Sequence, residues 1–123
     1  MGDGVHGRPY EWGRLHAAFR VLEGLAAGTS ALDRESARRA TTSSPRNSVE
    51  RLLRHAAEHI LRARERGGER AVAAARVYGD IGLLIAPEPM SRGNLGPREV
   101  ASFDEGYEQQ LGVYREAFGA LVV

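Results

Sequence analysis

The sequence predicts an all-α fold, a helical bundle of four main helices plus one short helix. Apolar residues recur at helical spacing in each long segment, no segment alternates apolar and polar residues with period two, and proline or glycine separates the segments. With 123 residues, 42% of them hydrophobic and 27% charged, the chain has the composition of one globular domain with its own core. We expect residues 1–8 to form a flexible tail and residues 9–123 to form a single helical-bundle domain.

The first helix is predicted to run from Pro9 to Ala27. Proline is favoured in the first turn of a helix, and Gly28 supplies a suitable C-terminal residue. The apolar positions recur at helical spacing and are predicted to face inward: Trp12, Leu15, Phe19, Leu22 and Ala26.

A short helix is predicted from Ala31 to Ala40. Ser30 and Asp33 have the spacing of a capping box, which favours a helix start. The polar run from Thr41 to Ser44 is expected to interrupt the helix.

The next helix is predicted from Pro45 to about Arg66. Ser44 and Pro45 together form a strong start signal, and Gly67 and Gly68 form a stop. At 100° per residue one side is apolar, comprising Val49, Leu52, Leu53, Ala56, Ile60 and Ala63. The opposite side is charged, comprising Arg51, Arg54, His55, Glu58, Arg62, Glu65 and Arg66.

Two further helices are predicted, over residues 69–86 and from Pro97 nearly to the C-terminus, separated by a loop over 87–96. In the first of these helices, the residues expected to face inward are Val72, Ala75, Tyr78, Ile81 and Ile85. In the second, the apolar stripe expected to face inward comprises Val100, Phe103, Tyr107, Leu111, Tyr114, Phe118 and Leu121. Glycines at positions 106, 112 and 119 each cost about 1 kcal/mol of helix propensity relative to alanine. Glycines inside a helix more often permit close helix–helix approach than bind a ligand, so we expect close approach at these positions.

The predicted core includes Leu53, Ile60, Phe103 and Tyr107. If Leu53 is a core residue, its replacement by alanine costs about 2–5 kcal/mol of stability.

Positive charge is concentrated in the first part of the chain. The net charge is +1, but residues 1–76 hold 14 basic and 9 acidic side chains, whereas residues 77–123 hold 3 and 7. All the basic residues are arginine. GC-rich codon usage, which favours arginine, alanine and glycine, explains most of this bias, and the functional interpretation is that arginine suits phosphate contacts better than lysine does. The candidate nucleic-acid-binding residues are Arg51, Arg54, Arg62 and Arg66 on one helix face, with Arg38 and Arg39 on the preceding short helix.

The alternative interpretation of these arginines is a solvated helix face. Glu50, Glu58 and Glu65 are interleaved with them and could pair locally. No helix-turn-helix reading helix and no sheet for base stacking is recognisable, so any nucleic-acid binding is expected to be to backbone phosphate without sequence preference.

Other functional classes find little support in the residues. The chain has no cysteine, no secretory signal pattern and no apolar run long enough to cross a bilayer, so we expect a cytoplasmic protein without membrane contact. It also lacks a G-x-S-x-G elbow, a phosphate-binding loop and a G-x-G-x-x-G motif. We therefore expect no enzyme activity and no cofactor.

One segment matches a catalytic pattern. His55, Glu58 and His59 have the H-x-x-E-H spacing of inverted zinc metallopeptidases, in which the two histidines share a zinc ion and the glutamate acts as general base. His55 and Glu58 lie on the charged side of the predicted helix and no third ligand is evident. A coincidental match on a solvated surface is the favoured interpretation, and no metal is predicted.

Three blocks of residues resemble a known family. They are Tyr10 with Gly13-Arg14-Leu15 and Ala17, then Ser44-Pro45 with Arg51-Leu52-Leu53-Arg54 and His59, and finally Phe103-x-x-Gly106-Tyr107-x-x-Gln110. In this order they resemble the C-terminal helical domain of the large subunit of type I-C CRISPR Cascade, a region also made separately as the Cascade small subunit. The blocks span nearly the whole chain.

The resemblance implies a helical bundle that stacks in several copies along the guide-RNA filament and helps to hold the opened DNA strands. It implies contacts with the filament backbone subunits, with the large subunit and with displaced single-stranded DNA, and it implies no nuclease activity and no cofactor. Opposite charge in the two parts of the chain suits copies of the chain stacked head to tail. A non-catalytic helical adaptor for other proteins is the alternative function, and the metallopeptidase is the remote one.

Overall fold

Four long helices form the computed structural model, which describes residues 7–28, 41–85 and 94–122. They are α1 (Gly7–Ala27), α2 (Pro45–Arg66), α3 (Gly68–Leu84) and α4 (Pro97–Phe118), and a 3₁₀ turn (Gly119–Leu121) follows α4. No strand occurs within these three described ranges, so the predicted all-α bundle is confirmed. The predicted short helix over 31–40 lies outside the described residues.

The central element of the bundle is α1, which packs against α2, α3 and α4. A helix with neighbours on several sides needs apolar residues around most of its circumference. The predicted inward positions of α1 are all buried, and the helix also buries Ala17, Ala18, Val21 and Leu25. The first helix is therefore an interior helix and not an amphipathic helix with one apolar stripe.

Glycine ends α1 and α2, as the sequence predicts. Gly28 has φ +80° and Gly67 has φ +71°, a left-handed conformation that costs other residues free energy. The helix start is less well predicted, because α1 begins at Gly7 and thus includes two residues assigned to the tail. The expected interruption over residues 41–44 is also wrong, since residues 41–43 are helical and only Ser44 breaks the helix before Pro45.

Two glycines allow α1 and α4 to approach very closely. A Cβ atom on Gly106 would overlap the carbonyl oxygen of Tyr10, and one on Gly13 would overlap that of Phe103. Because residue 10 meets residue 106 while residue 13 meets residue 103, the two helices run antiparallel at this contact. The prediction of close approach is confirmed for Gly106. Gly112 has open space beside it, and Gly119 ends α4 with φ +59°.

The predicted inward face of α3 is wrong for most of its residues. The helix buries Ala73, Ala74, Val77 and Ile81, and only Ile81 belongs to the predicted set. The other predicted residues are exposed, namely Val72, Ala75, Tyr78 and Ile85. The helix has apolar residues on two sides, and the side with small alanines packs inward because it fits closely among its neighbours.

The core prediction is correct for α4 and partly correct for α2. Phe103 and Tyr107 are almost completely buried, and Ile60 is half-buried against the core. Leu53 is 39% exposed, so its assignment to the core is wrong. Leu53 lies about 60° around α2 from Ala56, which faces the core. At this angle its side chain lies at the edge of the surface that α2 packs against the bundle.

Candidate nucleic-acid interface

Three of the predicted arginines lie together on the solvent side of α2. Arg51, Arg54 and Arg62 are all exposed. At 100° per residue they fall within an arc of about 80°, and the first and last are separated by about 16 Å along the helix axis. We refer to these three residues as the arginine face.

The arginine face also contains carboxylates. Glu58 and Glu65 are exposed on the same side of the helix. In the described part of the chain, however, no ion pair within 4.0 Å links an arginine of this face to a carboxylate, and the contact of Glu58 is with His55 instead. Among the described residues no ion pair holds these three guanidinium groups, so they can contact an anionic partner.

Arg66 has a structural role that sequence reasoning missed. Its Nε donates a hydrogen bond to the carbonyl oxygen of Ala26 at 2.7 Å, and its Nη2 donates to that of Ala27 at 3.0 Å. A cation at this position satisfies carbonyl groups left open at the C-terminus of α1 and interacts favourably with the helix dipole. The guanidinium packs over Gly28, where a Cβ atom would lie 2.8 Å from Arg66 Cζ.

The remaining two predicted residues, Arg38 and Arg39, lie outside the described residues. The structure therefore brings together three of the six predicted arginines and shows a fourth, Arg66, holding the end of α1 against α2.

The H-x-x-E-H segment lies on α2 beside the arginine face. The ring centroids of His55 and His59 are 6.4 Å apart, whereas two imidazoles on one tetrahedral zinc ion would be about 5 Å apart. His55 Nδ1 lies 3.9 Å from Glu58 Oε1, and both side chains are largely exposed. Among the described residues, no group of three or more histidine or acidic side chains is placed to hold a metal ion.

His59 differs from His55 because it is partly buried against α1. Burial lowers the pKa of His59, while the carboxylate of Glu23 on α1 opposes this shift. The neighbouring His55 and Arg62 lower the pKa further, because added positive charge disfavours the protonated imidazole.

The first and third blocks of the family resemblance meet in the core. Besides the paired glycine contacts, Arg14 Nε donates a hydrogen bond at 3.1 Å to Oε1 of the buried Gln110. Arg14 Nη1 also contacts Glu11 Oε1 at 3.1 Å, which orients the guanidinium. Residues 96 positions apart in the chain thus join α1 to α4, and the role of these blocks here is packing.

His16 is a buried polar residue that sequence reasoning missed. Its ring packs at 5.6 Å from both Phe103 and Tyr107, and its Nδ1 lies 3.3 Å from the hydroxyl of Thr41. The Thr41 contact ties the residues before α2 to the α1–α4 interface. Histidine occurs at many surface positions, so only its place inside the helix pattern of α1 could have indicated burial.

A second buried polar contact links α4 to α3. The Tyr114 hydroxyl donates a hydrogen bond to Asp80 Oδ2 at 2.8 Å, and Asp80 also pairs with Arg76 at 3.4 Å. Burial is the main cause that raises the pKa of Tyr114, and the bond to Asp80 adds to it because the carboxylate favours the protonated phenol.

The fold and the surface together define a small helical bundle with an arginine face on one outer helix. None of the helices in the described ranges has the length and apolar character needed to cross a membrane. Comparison with protein-family models, with curated proteins and with solved structures finds no match to this chain.

Proposed function

We propose that this chain is the small subunit of a type I CRISPR RNA-guided surveillance complex, a non-catalytic module that holds opened target DNA. The observation that carries the proposal is the arginine face: three exposed guanidinium groups on one side of α2, free of internal ion pairs in the described chain. Guanidinium groups bind phosphate through two parallel hydrogen bonds and keep their charge at every physiological pH.

The contacts are with phosphate, and they carry no sequence preference. The arginine face lies along the side of α2, and Glu58 and Glu65 interrupt it. Phosphate contacts position a protein on nucleic acid, whereas base-edge contacts specify a sequence. Displaced single-stranded DNA, which offers phosphates without the dense charge of a duplex, suits such a sparse set of arginines.

The protein partners proposed are the backbone subunits of the guide-RNA filament, the large subunit and further copies of this chain stacked head to tail. The distribution of charge supports the stacking. The solvent side of α4 carries Glu105, Glu108 and Glu116, opposite in sign to the arginine face of α2. Contacts between unlike surfaces of successive copies repeat along a filament.

The isolated protein is expected to bind single-stranded DNA weakly. Each phosphate neutralised on a single strand contributes about −0.7 to the slope of log K against log salt, so three arginines give about −2. We expect a dissociation constant of about 10 μM or weaker at physiological salt. Several copies fixed along one filament raise the overall affinity by about 10²–10⁴ without new contacts.

The test compares two variants with the same change in net charge. Arg51→Glu with Arg62→Glu alters the arginine face, and Arg98→Glu with Arg115→Glu alters exposed arginines of α4. Fluorescence anisotropy with a labelled single-stranded oligonucleotide should show at least about a tenfold loss for the first pair and a much smaller loss for the second. Equal losses would show that net charge alone determines binding, and the arginine face would then have no specific role.

A second experiment uses the assembled complex. Arg51→Glu, Arg54→Glu and Arg62→Glu combined should leave the fold intact, because all three side chains are exposed. The variant complex should assemble and release target DNA faster than the wild-type complex does. Retention of target DNA at the wild-type level would contradict the proposal.

A helical adaptor that binds other proteins is the second candidate function. The observation that favours it is a group of exposed large apolar side chains, including Leu61, Val72 and Leu83. Exposed apolar patches on a monomer often mark protein contacts. An isolated protein that fails to bind single-stranded DNA at low salt, and whose arginine variants still join their complex normally, would favour this second function.

A further inference from the structure

Among the described residues, the helix α3 is covered on one side only. Its outer side exposes Val72 by 73% and Leu83 by 84%, with Ala75 and Gly79 between them, and beside them Arg76 and Asp80 form an ion pair at 3.4 Å. Exposing such residues to water costs free energy that pairing with another apolar surface recovers, at about 25 cal/mol for each Å² buried. We call this outer side of α3, with the two grooves described next, the α3 face.

Two grooves flank the exposed ridge of α3. The groove towards α2 has a volume of about 790 Å³ and is lined by Leu61, Ala75 and Tyr78 among others. The groove towards α4 has a volume of about 670 Å³, with Phe118 and Leu121 in its lining. Val72 lines both grooves, so it lies on the ridge between them.

A ridge beside a groove on the same face is self-complementary. When two copies meet about a two-fold axis, the ridge of each copy can enter a groove of the other, which is how helices pack in protein cores. Ala75 and Gly79 have little or no side chain, and a Cβ on Gly79 would meet open space. The ridge is therefore narrow enough for the backbone of another helix to come close.

The charges of the α3 face also suit a second copy better than a highly charged partner. The groove towards α2 contains Arg64 and the groove towards α4 contains Glu69. Neither forms an ion pair with another described residue. With the Arg76–Asp80 pair, each face carries two cations and two anions, so two identical faces meet without net charge repulsion.

The area of the face sets the expected strength of the contact. The 17 residues of α3 span about 25 Å, and the face is about 18 Å wide, or two helix spacings. This gives about 450 Å² for each copy and about 900 Å² for a pair, compared with about 1,200–2,000 Å² in stable complexes. A weak and reversible pair is expected, with a dissociation constant between about 10 μM and 1 mM.

We propose that the α3 face pairs two free copies of this chain about a two-fold axis, with ridge seated in groove. This pairing is argued from α3 and does not rest on the DNA-binding role. At 100° per residue Arg51 and Arg62 lie about 80° and 100° around α2 from Leu61, which lines the groove, and Arg54 lies about 10 Å from Leu61 along the helix axis. It also differs from head-to-tail stacking, since a two-fold contact closes at two copies.

The experiment is sedimentation velocity on the full chain from about 1 μM to 1 mM, a range that brackets the expected dissociation constant. The average mass should rise from 13.4 kDa towards twice that value and stop there. Val72→Glu with Leu83→Glu should raise the dissociation constant of the pair at least about tenfold, because each buried carboxylate would lose its water. Circular dichroism serves as the folding check, and exposure of both positions makes loss of the fold unexpected.

The control is Ala101→Glu, an exposed position of α4 on the side away from its buried residues. This variant should pair as the wild type does. A chain that stays monomeric over the whole concentration range would overturn the proposal, and so would growth beyond two copies. Equal weakening by the control and by the α3 variants would also overturn it. DNA binding by the α3 variants reports separately on the proposed function.

Discussion

Replacing Gly106 by alanine tests the close crossing of α1 and α4. A Cβ atom there would overlap the Tyr10 carbonyl oxygen and would lie 2.8 Å from the carbonyl carbon. Both atoms belong to the helix backbone, so relief requires the two helices to separate. Because α1 is the central helix, that separation also disturbs the buried side chains of Phe103 and Tyr107.

The change in the free energy of unfolding caused by Gly106→Ala follows from two opposing effects. Alanine gains about 1 kcal/mol of helix propensity over glycine, whereas overpacking a dense core costs about 1–3 kcal/mol and sometimes more. The overlap with backbone places Gly106→Ala at the upper end, so we expect a net loss of about 2 kcal/mol or more. Such a loss lowers the melting temperature of a domain this size by roughly 6–10 °C.

The matched control is Gly112→Ala in the same helix. Gly112 is exposed and its Cβ would meet nothing within 4 Å, so alanine should stabilise the protein by up to about 1 kcal/mol. Urea unfolding followed by circular dichroism at 222 nm measures both changes. If Gly106→Ala proves as stable as Gly112→Ala, the two helices do not touch through this glycine and the reasoning is refuted.

Three further predictions concern stability. Phe103→Ala should cost about 3–5 kcal/mol of stability. Leu53→Ala, at a position 39% exposed, should cost about 1 kcal/mol or less. Urea unfolding that ranks the two variants in the reverse order would contradict the burial of Phe103 and the exposure of Leu53. Arg66→Ala should lose about 1–2 kcal/mol because two hydrogen bonds to α1 carbonyl oxygens disappear, and an unchanged unfolding midpoint would show that this cap is unimportant. Burial lowers the pKa of His59 in the folded state below its ordinary value of 6.5, so the unfolded chain binds the proton more readily and the free energy of unfolding should fall as the pH drops below 6.5. His59→Gln should flatten this part of the stability profile, and His55→Gln is the control; equal effects of the two changes would count against a distinct role for His59.

The helices themselves follow from local chemistry that the sequence displays. Pro45 and Gly67 bound α2 as predicted, because a fixed proline φ and a left-handed glycine act within one turn of chain. The apolar stripe of α4 was equally predictable, since seven bulky residues share one side and leave no competing face. The exposure of Arg51, Arg54 and Arg62 was predictable for the same reason, because charged residues on a helix remain in water unless they are paired.

The choice between two apolar sides of α3 depended on the tertiary structure. Val72 and Leu83 are larger than Ala73 and Ala74, yet the alanines are buried and the larger residues are exposed. Local sequence cannot reveal this, because which side packs inward depends on how closely neighbouring helices approach.

The sequence by itself thus determined where each long helix lies and which side of α2 carries charge, since those features depend on residues within a few turns of one another. Only the tertiary structure decided that α1 is enclosed on several sides, that Arg66 caps α1 and that Gly13 and Gly106 each lie against the backbone of the opposite helix. Each of these contacts joins residues about 40 to 100 positions apart, and no local pattern encodes such a pairing.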